Sequence, residues 1–378
     1  MGNWVVWVVT PSPTYPMRIL VVRLRQIGDV VFTTPAVAAL RRRYPDAHLT
    51  YLVEPPGAPI VSNNPAIDEV LVVPPSRGLG GLIADLALGW RLRSRQYDLA
   101  IDFHGGPRAS LLTWLSRATI RIGYDVAARS WMYTRIVPRP RELRRRHSVL
   151  NQWDLLAPLG IDLPTPDEFP VSMTIDEDAA ARVQGRLSAA GVTRDEAIAV
   201  VHVSASSPFR RWPMPAFTAT IAALASRPHR RVIVTSGPSD REAADGVIDA
   251  ARSQLAAADR DRVVRCGDFS LTELRALLDR SSVYIGGDSG PLHVAATTGV
   301  PIVALFGPTP SERSAPWRSR AFPAELIEVD GLECRPCDQR VCTPGDFRCL
   351  TRIQPSQVIA AAERLLAGDA AVPRREPA

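Results

Sequence analysis

One pattern constrains the fold more than any other: short β-rich apolar runs alternate with helical stretches along the chain, and the alternation stops once and restarts. Residues 18–23 form a continuous apolar run, as expected of a strand buried on both faces of a parallel sheet. A turn is expected at Gln26-Ile27-Gly28-Asp29, and residues 34–43 then read as a helix with Thr34 as its cap and Pro35 at the first helical position. Further strands are expected near 49–53, 69–73 and 98–103, with helices near 79–94 and 107–117. Residues 160–170 carry Pro164, Pro166 and Pro170 among polar residues and read as a linker. Beyond it come a helix at 176–190, strand 197–203, helix 213–226, strand 231–236 and helix 239–256. A short strand near 263–265, helix 270–280, strand 282–286, helix 289–298 and strand 301–306 complete the series. The pattern predicts α/β, doubly wound architecture, and 378 residues suit two such domains. The expected division is an extension at 1–16 ahead of Met17, an N-terminal domain at 17–165 and a C-terminal domain at 171–354. An amphipathic helix at 355–367 and a disordered tail at 368–378 complete the chain.

Composition narrows the chemistry. The apolar fraction, 46%, suits a soluble globular protein, and no stretch approaches the roughly 20 apolar residues of a membrane span. The run Trp4–Val9 lacks a basic flank and a small-residue cleavage site, so it makes a poor signal peptide. All 45 basic residues are Arg. Without Lys there is no Walker-type phosphate loop, no Lys Schiff base and no Lys acid–base chemistry. Cationic contacts to phosphate or carboxylate must come from the planar guanidinium fork. A net charge of +6 suits a polyanionic substrate or an anionic membrane surface.

Three strand ends carry candidate chemistry. In Gly286-Gly287-Asp288-Ser289-Gly290-Pro291-Leu292-His293, a strand ends, two glycines turn the chain and a helix begins. Free amides at a helix start favour an anion, and glycine lets a ligand approach the backbone. A capped turn without ligand fits the same residues. His293, one turn beyond Ser289, faces the same ligand or is a buried, hydrogen-bonded histidine. His202-Val203-Ser204-Ala205-Ser206-Ser207, with Arg210-Arg211-Trp212-Pro213 just after it, reads as a diphosphate cradle or as a polar loop. Asp29, after Gly28 at the end of the first strand, is either a general base at the carboxyl edge of the sheet or an N-cap. Asp102-Phe103-His104-Gly105-Gly106 closes another strand of the same domain. His104, Arg108 and Arg121, with the run Arg144 to Arg146, are candidates to meet an anionic acceptor, although a solvated face is the simpler reading of the run. There is no G-x-G-x-x-G after the first strand, which argues against a dehydrogenase or epimerase.

Cys334, Cys337, Cys342 and Cys349 have C-x2-C-x4-C-x6-C spacing. Four thiolates are a candidate tetrahedral site for a structural zinc, with buried thiols or disulfides as alternatives. Cys266 stands alone and is expected in the core.

Together these motifs resemble the ADP-heptose:lipopolysaccharide heptosyltransferases, glycosyltransferase family nine. Met17-Arg18-Ile19-Leu20-Val21-Val22-Arg23, with Gln26-Ile27-Gly28-Asp29 after it, looks like the family's opening. Gly287 to Ala296 is similar to its donor-binding segment, and Phe306-Gly307-Pro308-Thr309 to the stretch next along the chain. The Cys334–Cys349 segment, running into Leu350-Thr351-Arg352-Ile353, looks like the tail of heptosyltransferase II-like members. The likeness spans residues 17–366. It implies a GT-B fold of two Rossmann-like domains facing across a cleft, and inverting transfer of heptose from ADP-L-glycero-D-manno-heptose to the inner core of lipopolysaccharide. It further implies no metal required for catalysis, no nucleic-acid partner, and a cytoplasmic enzyme peripheral at the inner membrane. The catalytic base falls on Asp29. Donor-binding residues fall on Asp288, Ser289, Gly290 and His293, on Ser204 and Ser206, and on Asp240 or Glu242 for the ribose. The family's Lys before the Trp-Pro pair is Arg210 here, which keeps the charge and changes its geometry. Another nucleotide-sugar donor, or a non-catalytic nucleotide-sugar-binding protein, is the competing reading.

Overall fold

The computed structural model describes residues 16–75, 78–139, 146–205, 207–337 and 339–368. The expected extension at 1–16 therefore lies outside the described residues except for Pro16, and the expected tail except for Gly368. The chain divides into two compact units, between Thr174 and Ile175.

The first unit is a parallel sheet of β1 (Arg18–Val22), β2 (His48–Val53), β3 (Glu69–Val72), β4 (Leu99–Asp102), β5 (Ile120–Tyr124) and β6 (Arg135–Val137). Its order is β3-β2-β1-β4-β5-β6, and every pairing is parallel. The second unit holds β7 (Ala197–His202), β8 (Arg230–Thr235), β9 (Val263–Val264), β10 (Val283–Gly287), β11 (Ile302–Phe306) and β12 (Ala324–Glu328). Its order, β12-β11-β10-β7-β8-β9, is the same topology counted from its own first strand, again all parallel. In such a sheet the strand order reverses between the first and fourth strands, and ligands bind beyond the carboxyl ends there. Those positions are β1/β4 and β7/β10, and the motifs at Asp29, His104, Ser204 and Asp288 lie in the segments that leave these four strands.

The central strands form because their apolar runs are buried on both faces. Ile19 to Val22, Ile198 to Val201 and Ile302 to Phe306 are almost wholly inaccessible. Helices expected at 34–43, 79–94 and 355–367 occur as Thr34–Arg43, Gly78–Ser94 and Pro355–Ala367. Three local expectations are corrected. Thr34 lies inside its helix rather than capping it, and its hydroxyl donates back to the Val31 carbonyl at 2.8 Å. The turn expected at 26–29 is the start of a short helix, Ile27–Val31, that carries Asp29. Strands β5, β6 and β12 were not expected, because Arg121, Arg135, Glu325 and Glu328 interrupt their apolar character.

The expected linker is not a free connection. Trp153 donates its indole N–H to the Asp162 carbonyl at 2.8 Å, and its ring meets Phe169 with centroids 5.2 Å apart. Phe169, Val171 and Met173 alternate inward and are buried. The Ser172 amide donates to Thr34 Oγ1 at 2.9 Å, and Thr174 Oγ1 donates to the Asn63 carbonyl at 3.0 Å. Residues 171–174 thus belong to the first unit, and the expected boundary moves towards the C-terminus. The helix Pro355–Ala367 belongs to the second unit: Val358, Ala361, Ala362 and Leu365 join the core formed by β7, β8, β10 and β11.

Candidate functional site

In the second unit, the two glycines expected to turn the chain instead end β10, and the chain bends at Asp288 and Ser289, with the Asp288 amide held by the Leu305 carbonyl of β11 at 3.1 Å. A Cβ on Gly287 would sit 3.1 Å from the Arg210 carbonyl, so glycine lets the loop after β7 lie against this turn. That approach brings Arg210 to Asp288. Its Nη1 lies 3.3 Å from the Asp288 carboxylate and 3.4 Å from the Asp288 carbonyl. Asp288 is 4% exposed at its side chain, against 34% for Arg210, so a buried carboxylate aims a partly open guanidinium. His293 lies on the far side of the same carboxylate, Nε2 to Oδ1 3.7 Å. Ser289 Oγ is buried and has no protein partner, an orphan hydroxyl at the start of the helix Gly290–Ala296. That helix is only seven residues long, so the local amides, more than a long macrodipole, are what it offers an anion.

Ser204 is fixed rather than free. Its Oγ accepts from the Gly237 amide at 2.7 Å and lies 3.2 Å from His202 Nε2. His202 Nδ1 lies 3.1 Å from Thr235 Oγ1, and burial pushes this imidazole down to about 4. Arg211 turns away from Arg210: it donates to the Ala205 carbonyl at 2.9 Å and pairs with buried Asp240 at 2.9 Å. The structure thus separates the two adjacent arginines and leaves Arg210 at Asp288. Asp240 is buried beside the Ser204 loop, whereas Glu242 is exposed on the helix Arg241–Ser253. Ser206 lies outside the described residues.

The Cys-rich segment proves to be a neighbour of this site. Gln339 accepts from Arg210 Nε at 2.9 Å and donates to Thr309 Oγ1 at 3.3 Å, a link for which the sequence carried no signal. Cys334, Cys337, Cys342 and Cys349 line one pocket of about 340 Å³, walled also by Phe209 and Phe347, whose rings meet at 5.4 Å. All four are free thiols, and burial raises the Cys349 pKa. Among the described residues no three His, Cys, Asp or Glu side chains are gathered to hold a metal ion. Cys266 is partly buried and is also free.

In the first unit, Asp29 is 38% exposed at its side chain and forms an ion pair with Arg23, itself almost buried. Arg23 also donates to the Phe103 carbonyl, which ties the ends of β1 and β4 together. The Asp29 carbonyl accepts from Thr33 Oγ1 at 2.8 Å and from Gln152 Nε2 at 3.3 Å. The N-cap reading of Asp29 fails: the cap position of its helix is Gln26. Asp102 is wholly buried and accepts from Tyr133 Oη at 2.6 Å and from the His104 and Gly105 amides at 2.9 and 2.8 Å. Burial raises its pKa. It shapes the loop that presents His104, where Gly105 takes φ +67°.

His104 and Arg108 line a pocket of about 270 Å³ with Arg25 and Glu54. Burial first, then the charges of Arg23 and Arg25, push the His104 imidazole down to about 4; Asp29 acts the other way. Arg108 is fully engaged, pairing with Glu54 at 2.9 Å and Asp85 at 2.8 Å, so it builds the pocket wall. Arg121 is not part of this pocket. It lies at the amino end of β5 and donates to the Met132 and Ala118 carbonyls at 2.9 and 2.7 Å. Arg144 and Arg145 lie outside the described residues, and Arg146 pairs with Asp154 at 2.5 Å.

Comparison with known proteins bears on the family and the fold. Residues 86–346 match the model of glycosyltransferase family 9 (heptosyltransferase). Lipopolysaccharide heptosyltransferase 3 of Escherichia coli is 29% identical over 91% of this chain and 97% of its own. The crystal structure of a glycosyl transferase family 9 protein from Veillonella parvula DSM 2008 superposes with TM-score 0.80 at 26% identity, covering 95% of this chain and 100% of that one. The ADP-heptose lps heptosyltransferase II of E. coli shares the fold, with TM-score 0.72 and 19% identity over 93% of this chain and 99% of that one. With the family model spanning more than half its length, the chain belongs to glycosyltransferase family 9, the heptosyltransferases, and is a glycosyltransferase of α/β fold.

Proposed function

We propose that the protein transfers heptose from ADP-L-glycero-D-manno-heptose to the inner core of lipopolysaccharide, with inversion at the anomeric carbon. One observation carries the donor half: Arg210 is held by buried Asp288 just beyond the Gly286-Gly287 end of β10, next to the orphan Ser289 hydroxyl. A guanidinium with exposed edges, backbone amides and an unused hydroxyl form a receptor for a diphosphate. The ADP-heptose part of the reading rests on the E. coli relative of the same fold, and the lipopolysaccharide part on both E. coli relatives.

In this reading the acceptor hydroxyl attacks the anomeric carbon as the bond to ADP breaks. Asp29 takes the hydroxyl proton, and ADP leaves with the bonding electrons. Arg23 holds the Asp29 carboxylate in place. Charge developing on the departing diphosphate meets Arg210 and the amides around Ser289, so transfer proceeds without a divalent cation. His104, kept neutral by burial and two arginines, offers the acceptor pocket a hydrogen-bonding group without adding charge.

The test is a panel of ADP- and UDP-sugars, scored first by thermal stabilisation and then by transfer to truncated lipopolysaccharide in the presence of EDTA. Stabilisation by ADP-heptose and EDTA-insensitive transfer with inverted product stereochemistry are expected. Stabilisation by UDP-sugars alone overturns the donor assignment, and loss of transfer in EDTA overturns the cation-free mechanism.

A further inference from the structure

The helix Gly78–Ser94 is apolar on both sides, and only one side is covered. Asp85, Gly89 and Leu92 face inward. Gly89 lies so close to Leu115 of the helix Pro107–Leu115 that a Cβ there would clash at 2.6 Å. The outward face carries Leu79, Leu82, Ile83, Leu86 and Trp90, at 82%, 46%, 68%, 43% and 72% exposure. Their spacing, i, i+3, i+4, i+7, i+11, is one continuous stripe along the helix. A helix apolar all round is ordinarily buried. A stripe this long, at about 17 Å of helix, is not the scattered surface leucine that needs no explanation.

Charge identifies what covers it. The helix's single acidic residue, Asp85, is turned inward and paired with Arg108, so no carboxylate lies on the exposed face. At the C-terminal end of the stripe Arg91 and Arg93 are exposed, with the Arg93 guanidinium 5.8 Å from the Trp90 ring centroid. The adjoining helix Pro107–Leu115 has no acid. It carries Trp114, which meets exposed Trp131 edge-on at 5.5 Å and lies 4.7 Å beneath the guanidinium of Arg117. Leucines flanked by tryptophan and arginine are the composition of a helix that lies in a lipid–water interface. A second copy of the chain would set these arginines against one another, which disfavours self-association through this face. Among the described residues no helix is long and apolar enough to cross a membrane, so contact here is with the bilayer surface.

We infer that the exposed face of Gly78–Ser94 docks the protein on a bilayer of anionic phospholipid. The same helix is tied to the acceptor pocket: Asp85 holds Arg108, and Arg108 lines that pocket with His104 and Glu54. Docking therefore sets the pocket mouth near the headgroup level, where a lipid-anchored acceptor presents its sugars. This last step rests on the proposed function; the docking itself does not.

The test uses the full chain and sedimentation with vesicles of phosphatidylglycerol in phosphatidylcholine, or of phosphatidylcholine alone. The protein is expected to bind the anionic vesicles and to release as salt rises. The combined exposed substitutions Leu82→Ser, Ile83→Ser and Trp90→Ser should weaken binding by about tenfold or more. Arg91→Glu with Arg93→Glu should do so through charge alone by about tenfold. Both variants should keep their thermal transition and their transfer to a soluble, lipid-free core oligosaccharide. Unchanged vesicle binding in both variants overturns the inference. So does a wild-type dimer that either variant converts to monomer in sedimentation velocity. Intact, stripe-dependent vesicle binding in a protein that transfers no heptose supports docking and overturns the functional reading alone.

Discussion

Asp29 and Arg210 are assigned opposite tasks, proton acceptance and support of a leaving diphosphate, and substitution separates them. Asp29→Asn keeps the size of the side chain and removes the basic carboxylate that Arg23 holds. Transfer should fall by about 10²–10⁴, while ADP affinity measured by calorimetry stays unchanged. Near-normal turnover would remove Asp29 from the mechanism. Arg210→Ala leaves the buried Asp288 carboxylate without its guanidinium partner and should weaken ADP binding by about tenfold or more. Arg210→Lys keeps the charge, but one ammonium cannot reproduce the fork that reaches Gln339 and Asp288 together, so an intermediate loss is expected. Equal affinity in all three proteins would place the diphosphate elsewhere. His202 gives the donor side a pH signature. Its pKa is pushed from 6.5 to about 4 by burial, so the unfolded chain takes up a proton that the folded chain refuses. The resulting stability is complete above about pH 6.5 and is lost progressively as pH falls towards 4. His104 shifts in the same direction. Thermal unfolding should therefore drop in temperature between about pH 7 and pH 5, and His202→Asn should flatten that slope. An identical slope in the variant would assign the dependence to other groups. At this scale the motif residues were readable, because Asp29, His104, Ser204 and Asp288 each come after a recognisable strand. Their partners were not: Gln339 reaches Arg210 across 129 positions, a separation no local pattern records.

At the level of elements, the glycine that ends β10 works by closeness. Gly287→Ala would place a methyl 3.1 Å from the Arg210 carbonyl and push the β7 loop away from Asp288. Overpacking of this kind costs about 1–3 kcal/mol, so ADP affinity should fall by roughly tenfold with the fold retained. Calorimetry with circular dichroism checks both halves, and full affinity would show that the loop position is irrelevant to the donor. The same logic of burial explains which elements could be read from sequence. β1, β7, β10 and β11 are flanked on both sides, and their unbroken apolar runs identify them. β6 and β12 lie at sheet edges and β5 lies next to one, where solvent admits Arg and Glu, so their signal dissolves into an ordinary polar stretch. The outward face of Gly78–Ser94 escaped for the converse reason: a helical run rich in leucine does not say which of its leucines the fold will cover.

For the whole molecule, two units with their own sheets and cores suggest that each half folds by itself, provided the cut is made where packing ends. The prolines at 164, 166 and 170 pointed to a boundary at 165–171, since proline-rich polar segments are usually connections. The period-two burial of Phe169, Val171 and Met173 contradicts that cut, because these side chains roof part of the first unit. A first-unit fragment ending at Thr174 should therefore be more stable than one ending at Thr165, which loses Phe169 from Trp153 and the Ser172–Thr34 and Thr174–Asn63 hydrogen bonds. Removing three buried side chains at about 1.5–3 kcal/mol each is enough to unfold a marginal domain. The complementary fragment, 175–378, contains Ser204, Arg210, Asp240, Asp288, Ser289, His293 and Gln339, with every hydrogen bond and ion pair described among them. It should fold cooperatively and bind ADP within about threefold of the whole chain, because the diphosphate receptor is complete inside it, a difference of less than about 0.7 kcal/mol. It should transfer nothing, because Asp29 is absent. A folded fragment with no ADP affinity would mean that the first unit supplies part of the nucleotide site, and the assignment of donor binding to the end of β10 and Arg210 would then be incomplete.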